Sequence, residues 1–177
     1  MFKNILISLD GSKPADAALA IAIDVARTYG ARLHVVHVLL REYAIDDLRE
    51  VAERAGVIGE VSEELSHVEV VPAGFAPGAD VPIVVIPDAA LEKLGDLLLA
   101  KGRAAAKSAG LQNLETRIID DEPAPGILGY AAEQGIDLIV TGSRGRGPLK
   151  TLILGSVSHD LIEGAKCPCL IVKESKD

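Results

Sequence analysis

Asp137-Leu138-Ile139-Val140-Thr141-Gly142-Ser143 runs directly into Arg144-Gly145-Arg146-Gly147-Pro148-Leu149-Lys150-Thr151-Leu152-Ile153-Leu154-Gly155-Ser156. The first stretch is a short apolar run, rich in β-branched residues and bounded by turn formers, which reads as a strand covered on both faces. The second is punctuated by glycine and gives way to a helix signal from about Val157 to Glu163. Glycine permits positive φ and close approach of the backbone, so amides after the strand can turn toward one anion. The free amides of a helix starting near Ser156 point the same way. Strand, glycine loop and helix in this order suggest a phosphate site, and hence a bound nucleotide.

Outward from this point the same alternation repeats. Asn4 to Leu9 is a short apolar run ending in Asp10-Gly11-Ser12, where turn chemistry and a helix N-cap coincide. From Pro14 to Tyr29, Ala15, Leu19, Ala22 and Ala26 recur at helical spacing while Asp16, Asp24 and Arg27 face water, and Gly30 supplies a stop. Leu33 to Leu39 is a second strand, apolar on both faces. Leu91 to Ala109 reads as a helix closed by Gly110. Leu114 to Ile119 follows as a strand whose Glu115 and Arg117 alternate with Leu114, Thr116 and Ile118, as at an exposed edge. A helix from about Ile127 to Gln134, capped by Gly135, leads into Asp137 to Thr141, and Pro168 to Val172 is the last strand. Regular β/α alternation predicts an α/β fold: a five-stranded parallel sheet, Rossmann-like, with helices on both faces. Ligands in this architecture gather at the carboxyl ends of the strands, near a topological switch.

The stretch from 41 to 87 breaks the pattern. Asp46 to Leu65 has the composition of an exposed helix that Gly56 and Gly59 interrupt, and Pro72, Gly74, Pro77, Gly78 and Pro82 separate the apolar pieces Val68 to Val71 and Ile83 to Ile86. A lid, a hairpin, a dimer contact and an insertion without activity of its own all fit. The expected organisation is one domain, 1–177, with a variable insertion at about 41–87.

Composition removes several function classes. The net charge is −8 with a sequence pI near 5.0, which opposes broad attraction to nucleic acid or an anionic membrane surface. Aromatics are 3% with no Trp, too few for a base-stacking platform. No apolar run approaches the roughly 18 to 20 residues needed to cross a bilayer, and Ile5 to Asp10 begins too early for a signal-peptide core, so the expected compartment is the cytoplasm. The cationic exception is Arg144, Arg146 and Lys150, in a segment, Gly142 to Ser158, that contains no acidic residue. It reads either as a positive island for a small phosphate ligand or as three solvated loop cations.

Familiar phosphate motifs are missing. Lys150 lacks the flanking glycines of Gly-x4-Gly-Lys-Ser/Thr, and Gly145 and Gly147 meet Lys150 where Gly-x-Gly-x-x-Gly requires a third glycine. What is present is Gly-x2-Gly-x9-Gly-Ser, at Gly142, Gly145, Gly155 and Ser156. On these residues the chain resembles the universal stress protein family, in particular its ATP-binding branch. The resemblance covers Phe2 to Val38 and Leu91 to Val172. It implies that Thr141, Gly142, Ser143, Gly145, Gly155, Ser156 and Val157 form the nucleotide loop. It also implies that Asp10 is the nucleotide-contacting aspartate after strand one and Val38 the adenine-side backbone contact after strand two. It implies ATP or AMP as ligand, with Mg2+ or Mn2+ brought by the phosphates, a homodimer through the last strand, a protein partner of unknown identity, and a regulatory role in stress response with at most slow ATP hydrolysis. An adenine-nucleotide-using enzyme or a flavin-binding electron-transfer subunit of similar architecture is the alternative.

Energetics require several donors at once, because a charge-assisted hydrogen bond contributes about 1.5 to 3 kcal/mol and a helix terminus about 0.3 to 1 kcal/mol. Thr141, Gly142, Ser143 and Gly145 can serve one side, and Gly155, Ser156 and Val157 the other. The Ser156 hydroxyl either caps its helix and also contacts phosphate, or caps the helix alone. Asp10 either closes the turn with Gly11 and Ser12 or accepts hydrogen bonds from ribose or ligand amines, or approaches a phosphate-held metal. No catalytic base or protein-built metal site is assigned. His34 and His37 fall on opposite faces of a strand, poor geometry for joint ligation. His159, beside Ser158 and Asp160, makes no triad by adjacency. The acidic run from Glu60 to Glu64 reads as a solvated face. Cys167 and Cys169 flank Pro168 at a spacing that matches neither zinc pairs nor a redox pair, so both are expected in the core.

Overall fold

The computed structural model describes residues 1–39, 41, 45–66, 69–72, 82–143 and 154–173. In chain order the elements are β1 (Asn4–Ser8), α1 (Lys13–Tyr29), β2 (Arg32–Val38), α2 (Ile45–Ala55), α3 (Ile58–Ser66), β3 (Glu69–Pro72), β4 (Pro82–Val85), α4 (Asp88–Ser108), β5 (Leu114–Ile119), α5 (Pro123–Glu133), β6 (Leu138–Gly142), α6 (Ser156–Gly164) and β7 (Cys169–Val172). They group into two compact units, one made of 1–39 with 95–177 and the other of 40–94.

The first unit is the expected α/β sandwich. Five parallel strands lie in the order β5-β2-β1-β6-β7, with Ile5 opposite Leu33 and Leu138 in the centre. Alternation along the strands feeds two cores. Ile5, Ile7, Leu33, Val35 and Val140 pack against Ala15, Leu19, Ala22 and Ala26 of α1 and Leu99 and Ala106 of α4. Leu6, Val36, Val38 and Ile139 pack on the other face against Ala124, Ile127 and Ala131 of α5 and Leu161 of α6. Burying side chains of this size contributes roughly 1.5 to 3 kcal/mol each, so apolar packing holds both faces of the central strands. β5 lies at an edge, as its charged alternation predicts.

Helix starts differ from the expected ones. α5 begins at Pro123, with Glu122 at the N-cap, because a proline in the first turn lacks an amide that would have had no acceptor anyway. α4 begins at Asp88, whose charge suits a helix N-terminus. α6 begins at Ser156 with Gly155 as N-cap (φ −74°, ψ 158°) and no capping side chain, so the expected Ser156 cap is corrected: that serine is already helical. Ser12 does cap α1, its hydroxyl accepting from the Ala15 amide at 3.3 Å.

In the second unit the interrupted helix forms as two, α2 and α3, broken at Gly56-Val57, while Gly59 does not interrupt but lies inside α3. The two apolar pieces pair as an antiparallel hairpin, β3 with β4, with Val70 opposite Val84. Of the acidic run, Glu60 and Glu63 are exposed, whereas Glu64 is half-buried and pairs with Lys93 at 2.5 Å.

Candidate functional site

The chain winds from β1 through β2 to β5 in one direction and then returns past β1 to β6 and β7, so strand order reverses between β1 and β6. In doubly wound sheets ligands gather in the crevice outside the carboxyl ends of the strands at such a reversal. Asp10 follows β1 at this end. One carboxylate oxygen accepts from the Ser12 amide at 2.9 Å, across Gly11, whose φ of +73° only glycine adopts without strain. The turn role therefore engages Oδ1.

Val38 ends β2. Val36 accepts from the Leu9 amide at 2.8 Å and Leu39 donates to Ile119 at 2.9 Å. Peptide groups alternate along a strand, so those of Val38 face the β1 side beyond the end of β1. That is the position from which a backbone group can meet a planar ring in the crevice.

On the far side, Thr141 and Ser143 are buried and face β7, whereas Gly142 faces the β1 side. Gly142 is required on packing grounds. A Cβ there would lie 2.9 Å from Pro14 C and Cβ and 3.0 Å from the Ala15 amide nitrogen. The first turn of α1 thus rests on the end of β6, a reason for this glycine that spacing alone does not reveal.

Two of the expected donors serve the fold itself. The Ser143 amide donates to the Val172 carbonyl at 2.6 Å, and the Gly155 amide donates to the Ser143 carbonyl at 2.9 Å. These bonds bring the end of β6, the start of α6 and the end of β7 together. The helical ladder of α6 begins with the His159 amide on the Gly155 carbonyl at 2.9 Å. The amides of Ser156, Val157 and Ser158 precede it and have no acceptor within the helix. Ser158, which sequence reading weighed only as a neighbour of His159, is buried, and its hydroxyl donates to the Gly142 carbonyl at 2.8 Å. Gly145, Arg144, Arg146 and Lys150 lie outside the described residues.

His34 and His37 are core residues. His37 Nδ1 lies 2.7 Å from the Leu9 carbonyl oxygen, and burial lowers its pKa against the opposing pull of that bond and of Asp10. His34, 1% exposed, sits 3.0 Å from the Tyr130 hydroxyl and 3.2 Å from Glu115, and burial again lowers its pKa, Glu115 opposing. Its Nε2 is buried without a partner. Cys167 and Cys169 are free, half-buried and packed on the α5–α6 core. Burial raises both thiols, which disfavours the nucleophilic thiolate. Among the described residues no group of three His, Cys, Asp or Glu could hold a metal ion, and no helix is long and apolar enough to cross a membrane.

A groove of about 440 Å³ lies between α1 and α4, floored by Leu9, Leu19, Ile23 and Leu98. Its cations, Arg27 and Lys101, face Asp24 at 2.7 Å and Asp16 at 4.0 Å. An apolar slot with neutralised rims is a poor anion site.

A doubly wound α/β unit with its strand ends, a glycine-capped helix and an aspartate turn around one switch point is a recognised class of architecture. Residues 1–44 and 46–173 match the model of the universal stress protein family. Universal stress protein YxiE of Bacillus subtilis (strain 168) is 35% identical over 173 residues, covering 98% of this chain and 100% of the relative. The chain belongs to the universal stress protein family. Among solved structures, a universal stress protein in complex with cAMP superposes with a TM-score of 0.61 at 21% identity, covering 98% of this chain and 99% of that one. The universal stress protein from Archaeoglobus fulgidus in complex with dAMP superposes with a TM-score of 0.58 at 19% identity, covering 98% of each chain.

Proposed function

We propose that this chain is an ATP-binding universal stress protein of the cytoplasm, a nucleotide-dependent regulator with at most slow ATP hydrolysis. The observation that carries the reading is the 2.9 Å bond between Gly155 and Ser143, which sets the open amides of α6 beside the end of β6. A phosphate there receives the amides of Ser156 and Val157 and the favourable end of the helix dipole. The loop of Gly145 supplies the remaining donors. Asp10 takes the ribose hydroxyls through its second carboxylate oxygen, and the Val38 peptide meets the adenine edge. Thr141, Gly142 and Ser143 hold the strand end in place beneath.

AMP fits the same site with fewer phosphate contacts, and the cAMP and dAMP complexes of related folds support an adenine nucleotide in general. A Mg2+ or Mn2+ ion would arrive on the phosphates, with Asp10 as an acidic neighbour, and would neutralise phosphate charge. Partner recognition is the output. β7 is an edge strand with Leu170 exposed, Ile162 of α6 is exposed as well, and this edge supports a homodimer through the last strand.

The test is to denature freshly purified protein, identify any released small molecule, and titrate ATP, AMP and FAD by calorimetry. Released adenine nucleotide, or ATP affinity without phosphate release in magnesium or manganese, supports the reading. A yellow preparation that releases flavin overturns it in favour of an electron-transfer protein.

A further inference from the structure

We infer that Ser158 is the positioning residue of the phosphate end of this crevice, an inference that rests on the nucleotide reading above. Ser158 is 3% exposed and lies in the first turn of α6, where a serine hydroxyl commonly turns back to its own helix. Here it crosses to another element and donates to the Gly142 carbonyl at 2.8 Å.

The direction of that carbonyl gives the bond its significance. Ile139 donates to Pro168 and Ser143 to Val172, so the odd positions of this stretch face β7. Gly142 faces the other way, toward β1, but the β1–β6 ladder ends at the Ile7 and Val140 pair. The last carbonyl of β6 therefore projects past the ladder at the switch point, without a backbone partner from β1. A bare carbonyl dipole in that place would repel an anion. The Thr141 hydroxyl makes a long contact with this oxygen at 3.4 Å, while the Ser158 hydroxyl takes a lone pair at 2.8 Å and, by the same bond, fixes the first turn of α6 against the strand end.

Two further bonds hold the same junction from other directions, Gly155 to Ser143 at 2.9 Å and Ser143 to Val172 at 2.6 Å. Neither touches Gly142. Ser158 alone, among the described contacts, links the helix start to the carbonyl nearest the switch point. Its effect is thus on the placement of the Ser156 and Val157 amides and on the local potential, and it acts through other groups without needing to touch the ligand.

The experiment compares ATP and adenosine titrated calorimetrically into the full chain and its Ser158→Ala and Ser158→Thr variants, well below their unfolding midpoints. Ser158→Ala is expected to weaken ATP about five- to tenfold, the equivalent of one lost hydrogen bond, and to leave adenosine affinity unchanged. Ser158→Thr, which restores the hydroxyl, is expected to recover ATP affinity. Equal ATP affinity in folded Ser158→Ala and the parent, or an equal loss for ATP and adenosine, would overturn the inference. Should Ser158→Ala not fold, Ser158→Cys keeps the shape with a weaker donor and carries the same comparison. A parent chain that binds no ATP at all fails the nucleotide reading itself, a result distinct from an unaffected variant.

Discussion

The Gly155 amide donates to the Ser143 carbonyl at 2.9 Å, and the Ser143 amide in turn donates to Val172 at 2.6 Å. The chain that leaves β6 therefore returns to its point of departure at the start of α6, and the neck so formed is tied to the edge strand β7. Any ligand held by the α6 amides is two hydrogen bonds removed from that edge, a short physical route from the site to the proposed dimer edge.

Gly142→Ala should destabilise the fold by about 1 to 3 kcal/mol, since its methyl group would press on the backbone of Pro14 and Ala15, which cannot swing aside as a side chain can. Urea denaturation of the purified variant reads this directly. An unchanged midpoint and slope would mean that α1 does not rest on the end of β6.

Asp10→Ala should cost about 1 kcal/mol from the lost bond to the Ser12 amide, whereas Asp10→Asn keeps an acceptor there and should cost less. For ATP the two should fall together if the second oxygen accepts from ribose as a carboxylate. Full ATP affinity in Asp10→Ala would confine this residue to the turn.

Stability should decline as pH falls through the unfolded histidine value of about 6.5. Burial lowers both His34 and His37 in the fold, so the folded state binds fewer protons than the unfolded chain and stability is present above that value and lost below it. Each such proton contributes a slope of up to about 1.4 kcal/mol per pH unit. Urea midpoints between pH 7.5 and 5 should fall, and more shallowly in His34→Gln. A flat profile in the parent would show that neither imidazole is excluded from water.

How much of this was readable beforehand varies by residue. Asp137 to Thr141 announced a covered strand, Gly30, Gly110 and Gly135 marked helix ends, and the alternation through Glu115 and Arg117 placed β5 at an edge. Each of these signals is local. Ser158 was not legible, because its partner, Gly142, is 16 residues away and the bond exists only once α6 packs beside β6. The packing reason for Gly142 was hidden for the same cause: the obstructing atoms belong to Pro14 and Ala15, at the other end of the chain. The hairpin of β3 and β4 could not be chosen over a lid or a dimer contact, since two short apolar pieces carry no information on which strand they meet.

Replacing Cys167 and Cys169 together by serine should leave ATP affinity unchanged, because both thiols lie on the α5–α6 core and take no part in the crevice. Burial holds the thiols in the protonated form, so their reaction with a thiol reagent at neutral pH should be slow in the native chain and fast in denaturant. Loss of ATP binding in the double variant would reopen redox or metal chemistry at this strand.

Gly155→Val addresses the central claim most directly. The N-cap backbone at φ −74° and ψ 158° accommodates a β-branched residue, so the fold should persist, while the added side chain crowds the approach to the α6 amides. Calorimetric titration of ATP into the folded variant should show affinity weakened by at least about tenfold, the equivalent of one charge-assisted bond. The same dissociation constant in variant and parent would place the phosphates elsewhere and contradict the account.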